Sequence, residues 1–122
     1  MNPKQFLILV GAVLLLIGVL GFVGVLGPTA AQSIFGSSWW FDTGENVAHT
    51  VLGLVALGGA FALDSKMQRT LTMVYAVVTL FFGVYGFVSS SAFGLANLEN
   101  PMDNILHLGV GVWAAYVAWF RK

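Results

Sequence analysis

The chain has two histidines, and they occupy matching places. Asp42-Thr43-Gly44-Glu45-Asn46-Val47-Ala48-His49 opens one long apolar run, and Asn100-Pro101-Met102-Asp103-Asn104-Ile105-Leu106-His107 opens another. Acid, Asn, His and Gly stand at positions 45, 46, 49 and 53, and again at 103, 104, 107 and 111. Residues four apart share a helix face, so each imidazole lies about one turn beyond its carboxylate on the same side. His49, His107, Glu45 and Asp103 therefore form a candidate four-ligand metal set for zinc, manganese or iron, provided their helices approach each other. His49 and His107, flanked by Asn46 and Asn104, are equally the candidate residues for a tetrapyrrole, with a redox role if it is haem. A bis-histidine haem is disfavoured, because the end carrying these residues has no Lys or Arg for the propionates. A chlorin needs one axial imidazole only, and that alternative stays open.

Each of these residues also has a structural explanation. Asp42 and Asn100 are favoured helix N-caps. Glu45 and Asp103 fall three residues later, where an acid reaches back to the cap and offsets the positive helix end. Pro101 suits a first helical position. Asn46 and Asn104 are placed to bridge helices, and a neutral imidazole beside them can be satisfied by local hydrogen bonds. Other chemistry is absent. There are no cysteines for thiolate or disulfide chemistry. Ser89 to Ser91 lack a Gly-x-Ser-x-Gly elbow, and the chain has no phosphate-binding loop. Zero net charge gives no electrostatic basis for nucleic acid binding.

The elements that must position these groups are read from hydropathy. Of 122 residues, 58% are hydrophobic and only 8% charged, with a mean hydropathy of +0.89. This composition predicts an all-α integral membrane protein. Runs at about 6–26, 44–63, 70–88 and 101–120 are each long enough to cross a hydrocarbon core. They leave room for one four-span domain, 1–122, and short connections.

The first run resembles a signal peptide, with Thr29-Ala30-Ala31 as a small-residue cleavage site. Its length argues for retention. So does its Gly18-x-x-Gly21-Phe22-Val23, which recurs as Gly83-x-x-Gly86-Phe87-Val88 in the third run. Gly18, Gly21, Gly24 and Gly27 recur every third residue and predict a flat strip for close helix approach, in a helix ended by Gly27-Pro28. Trp39-Trp40-Phe41 and Trp119-Phe120 are expected to anchor at the two membrane interfaces. Asp64 to Arg69 reads as the polar turn between the second and third spans.

Charge sorts by side. Lys4, Lys66, Arg69, Arg121 and Lys122 share one face, whereas Asp42, Glu45, Glu99 and Asp103 share the other. Basic residues in short loops mark the cytoplasmic side, which predicts both termini inside the cell membrane and the histidine motifs facing out. Halves 1–63 and 64–122 form a parallel repeat, so the expected fold is a four-helix bundle of two repeated hairpins about an axis along the membrane normal.

With Asn46, His49 and Gly53, then Asn104, His107 and Gly111, and Leu20-Gly21-Phe22 ahead of them, the chain resembles small bacterial four-span membrane proteins grouped as a domain of unknown function. Thr50, where the second copy has Leu108, departs from the usual hydrophobic residue. The resemblance implies a membrane location and a four-span fold without an assigned activity. The expectation is a non-enzymatic accessory or structural component of a membrane assembly, working in the lipid bilayer as a homo-oligomer or inside a larger complex and independent of nucleic acid. The alternative is a ligand-binding protein that uses His49 and His107.

Overall fold

A computed structural model describes residues 1–89, 91, 94, 98 and 102–120. The protein is all-helical, with four helices: α1 (Pro3–Phe22), α2 (Thr43–Ala62), α3 (Ser65–Tyr85) and α4 (Met102–Phe120). No strand accompanies them among the described residues. Short polar side chains fix the first three starts by accepting from otherwise unpaired backbone N–H groups. Asn2 accepts from Gln5 N at 2.8 Å, and Gln5 Oε1 accepts from Asn2 N at 3.0 Å, with Pro3 at the first helical position. Asp42 accepts from Glu45 N at 2.9 Å, and Asp64 from Met67 N at 2.8 Å. These caps set α1 and α3 several residues earlier than the apolar runs alone suggest. Lys66, Gln68 and Arg69 are consequently helical, and the turn shrinks to Leu63 and Asp64. The expected caps Asn100 and Pro101 lie outside the described residues, as do Glu99, Arg121 and Lys122.

The first helix stops at Phe22, short of the expected Leu26. Gly24 takes φ +89°, a left-handed conformation that no helix continues through. The chain then folds back: Val25 and Leu26 both donate to Leu20 O, and Phe41 N donates to Leu26 O at 2.7 Å. The four-glycine strip is therefore two glycines long. Gly18 and Gly21 face α2, whereas Gly24 and Gly27 belong to the turn. A third α1 contact, Gly11 against Gly53, brings the two backbones together a further two turns away.

Packing runs mainly α1 on α2 and α3 on α4, in the same register. Gly18 meets Thr50 where Gly83 meets Leu108, and Gly53 meets Leu15 where Gly111 meets Leu80. Across the middle it is α1 and α3 that approach; α2 and α4 do not pack closely. The condition set for the four-ligand set, that the histidine-bearing helices approach each other, is thus not met by their backbones.

The dry core lies at the end away from the histidines. Phe6, Leu7 and Val10 pack there against Ala56, Ala60, Tyr75, Ala76, Ala114 and Val117, and Phe6 meets the Trp113 ring edge-on at 4.7 Å. Small alanines on three helices let Phe6 and Leu7 fill the centre completely, both at 0% exposure. At the same end Gln68 donates to the carbonyls of Ala60 at 2.9 Å and Leu63 at 3.0 Å, satisfying acceptors that the α2 C-terminus leaves open.

The outer surface is apolar along every helix, exposing Leu9, Val13, Leu16, Leu54, Phe61, Val77, Phe81, Val84, Ile105 and Val112 among others. The helices α1, α2 and α3 are long and apolar enough to cross a membrane. The 19-residue α4 falls short because Asp103, Asn104 and His107 crowd its first turns.

Candidate functional site

The polar residues gather where α2 and α4 begin, covered by the loop 23–42. On α2, Asp42 and Glu45 form the expected capping box, with Asp42 N donating to Glu45 Oε1 at 3.4 Å. One residue further in, Asn46 and Asn104 are fully buried and turn to their hairpin partners. Asn46 Oδ1 occupies the space that a side chain on Gly21 would need, and Asn104 Oδ1 does the same at Gly86. Asn46 Nδ2 donates weakly to Phe41 O at 3.4 Å. Asn46 Oδ1 and both polar atoms of the Asn104 amide have no hydrogen-bond partner among the described residues. Their close seat on a glycine backbone suits Cα–H to oxygen contacts, which recur at such helix crossings. The amides bridge helices, and neither Asn46 nor Asn104 is among the residues lining the cavity below.

The carboxyls behave differently. Glu45 and Asp103, exposed by 5% and 3%, come within hydrogen-bonding reach of each other across the gap between α2 and α4. Trp39 Nε1 donates to Asp103 Oδ1 at 3.1 Å. Trp39 is half-buried, with its N–H turned to the polar end of the bundle. Its ring continues a row: Phe35 at 5.4 Å, Phe41 at 5.1 Å, then Phe41 edge-on to His49 at 5.0 Å. His107 lies at 6.3 Å from the Phe82 ring. The Nδ1 atoms of His49 and His107 are buried without a hydrogen-bond partner among the described residues.

Between the four helices these groups line one end of a partly open cavity of about 330 Å³. Val10, Leu14, Ile17, Leu52, Val74, Val78 and Leu106 make apolar walls, Phe41 and Phe82 add aromatic faces, and Glu45, Asp103, His49, His107 and Trp39 make the polar end. Tyr75 and Thr79 also line it, but their hydroxyls are engaged by backbone carbonyls, Tyr75 Oη with Leu52 O and Thr79 Oγ1 with Tyr75 O at 2.6 Å. A chamber of this size with apolar walls and a few convergent polar groups is the usual form of a small-molecule site.

A family described as a domain of unknown function, DUF4383, matches residues 4–120. The chain belongs to the DUF4383 family. No curated protein matches it, and no solved structure does. The match covers all four helices of this DUF4383 domain and assigns them no activity.

The metal set expected from the sequence is not assembled. No three His, Asp or Glu side chains among the described residues are arranged to hold a metal ion. The physical reason is that the carboxyls are turned to each other, to the α2 cap and to the Trp39 indole, while the imidazoles lie a turn further along helices that do not pack together. Sequence reasoning found four of the polar lining residues and missed Trp39, Tyr75 and Thr79 as part of the lining. A tyrosine inside an apolar run was the available signal, because a buried hydroxyl requires a partner.

Proposed function

We propose that this is a multi-pass protein of the cell membrane whose bundle binds a small, largely apolar molecule, with the molecule's polar group at Glu45, Asp103, His49 and His107. The observation that carries this proposal is the chamber of about 330 Å³ with apolar walls and one polar end. The apolar outer faces of all four helices support placement in a bilayer, since a water-facing bundle rarely exposes patches so large. Lys4, Lys66 and Arg69 gather at the starts of α1 and α3, opposite Asp42, Glu45 and Asp103, which supports cytoplasmic termini. The same surface would serve a partner subunit or a second copy, but lipid accounts for it without either, so the accessory role gains nothing of its own. No reaction is proposed.

The test is calorimetric titration of tert-butylbenzene into the purified protein in an uncharged detergent, corrected for empty micelles. Saturable binding to one site is expected, with loss of that binding in Val78→Trp, whose indole would fill the chamber. Uptake indistinguishable from partition into empty micelles would overturn the proposal.

A further inference from the structure

We propose that the molecule held in the cavity is a neutral one that presents a carbonyl oxygen to the imidazole N–H groups of His49 and His107. This rests on the cavity being a binding site. Both rings line the chamber, one from α2 and one from α4. Each is only half-buried, yet Nδ1 of each is shut away from solvent and has no hydrogen-bond partner among the described residues. The open edge of each ring is therefore the one that carries Nε2. A charged imidazole must donate from both nitrogens, and Nδ1 has nothing to donate to. A neutral ring carries one N–H and one bare nitrogen. Against a wall without an acceptor the bare nitrogen is the better tolerated, because an N–H there would be stranded. The proton accordingly sits on Nε2, and both copies of the motif aim one donor at the cavity.

The surroundings select what meets these donors. No hydrogen bond joins either imidazole to the described residues. The nearby hydroxyls are engaged by backbone carbonyls, Tyr75 with Leu52 O and Thr79 with Tyr75 O. An acceptor is thus left for the bound molecule to supply. A carboxylate or phosphate would accept, but its charge would enter a chamber with apolar walls, two acidic side chains and no Lys or Arg among the lining residues. An alcohol would also have to place its own proton, whereas a carbonyl oxygen has two lone pairs and nothing to donate. Leu14, Leu52, Val74 and Val78 take the hydrocarbon of such a molecule, and Phe41 and Phe82 suit a ring.

Acetophenone and α-methylstyrene have nearly the same planar shape and differ by an oxygen in place of a methylene, so the pair of probes isolates the acceptor. Both are titrated by calorimetry into the intact protein in uncharged detergent, corrected for empty micelles. Combining His49→Leu with His107→Leu should weaken acetophenone binding by about tenfold, the worth of the lost hydrogen bonds, and leave α-methylstyrene binding undiminished. Combining His49→Gln with His107→Gln returns an amide N–H near the place of each Nε2 and should restore acetophenone binding. The infrared carbonyl stretch of bound acetophenone should lie lower in the unaltered protein than in the leucine variant, a shift that a purely structural role of the histidines would not produce. Nitrogen-15 NMR of the unaltered protein needs no variant and should find Nε2 protonated and Nδ1 bare in both rings. Protons on Nδ1, or leucine variants that bind both probes as the unaltered protein does, overturn the inference and leave the cavity proposal intact. Failure of both probes to bind the unaltered protein defeats the cavity proposal and this one with it.

Discussion

Asn46 of α2 lays its side-chain oxygen where a Cβ on Gly21 of α1 would stand, and Asn104 of α4 repeats the arrangement on Gly86, which caps the end of α3. Neither amide can retreat easily, being fully buried. Gly21→Ala and Gly86→Ala should each cost about 1–3 kcal/mol of stability by overpacking. Gly58 and Gly109 have open space at the same test and lie in helix interiors. Gly58→Ala and Gly109→Ala should be neutral or stabilising, by up to about 1 kcal/mol, from helix propensity alone. Thermal unfolding in detergent of the four single variants checks this, and equal losses at all four would show that the amides are not held against the glycines.

How much of this was legible beforehand follows from what kind of information each feature needs. Capping chemistry is local, so the Asp42 and Glu45 box could be read from spacing. The glycine and asparagine repeats likewise predicted positions that the helices bring together, although their pairing, Gly21 with Asn46 and Gly86 with Asn104, depends on helix rotation. The end of α1 was misplaced because an apolar run continues past Phe22 while Gly24 turns the backbone. The bond from Trp39 to Asp103 was not legible, because an indole near an interface has the same sequence neighbourhood whether or not it meets a buried acid. The cavity was invisible, since it arises from α2 and α4 standing apart, a tertiary distance that no periodicity encodes.

Gln68 is the other buried polar contact that spacing did not announce. Its side-chain amide closes the α2 C-terminus through Ala60 O and Leu63 O, while its backbone carbonyl accepts from Thr72 Oγ1 at 2.8 Å. Gln68→Leu preserves bulk but strands two carbonyls, and should lower stability by about 1–3 kcal/mol. Gln68→Glu replaces a donor with an acceptor and should be worse than Gln68→Leu. Chemical unfolding of the three proteins side by side decides the order; a fully stable Gln68→Glu would remove the capping role.

Topology can be tested on a background that contains no cysteine. Ser37, exposed in the loop over the polar end, and Lys66, exposed at the start of α3, belong to opposite ends of the bundle. With the basic end inside, Ser37→Cys should react with a membrane-impermeant maleimide in intact cells, and Lys66→Cys only after permeabilisation. The reverse pattern would invert the protein in the membrane; labelling of both in intact cells would remove the spanning arrangement altogether.

Glu45 and Asp103 meet where α2 and α4 begin, although the helices themselves stay apart. If the pair acts as a unit, removing either carboxyl already forfeits their contact, and removing the second forfeits little more. Glu45→Ala also loses the cap contact to Asp42 N, and Asp103→Ala loses the bond from Trp39. Each single change should therefore destabilise, while the double variant should fall short of the sum by about 0.5–3 kcal/mol, as contacting residues do. Gln68 at the opposite end of the bundle supplies the comparison. Asp103→Ala combined with Gln68→Leu should be additive to within about 0.5 kcal/mol, because distant sites with no shared partner do not couple. Unfolding free energies of these variants in one detergent give both cycles, and an additive Glu45 and Asp103 cycle would mean that the carboxyls serve their own helices separately.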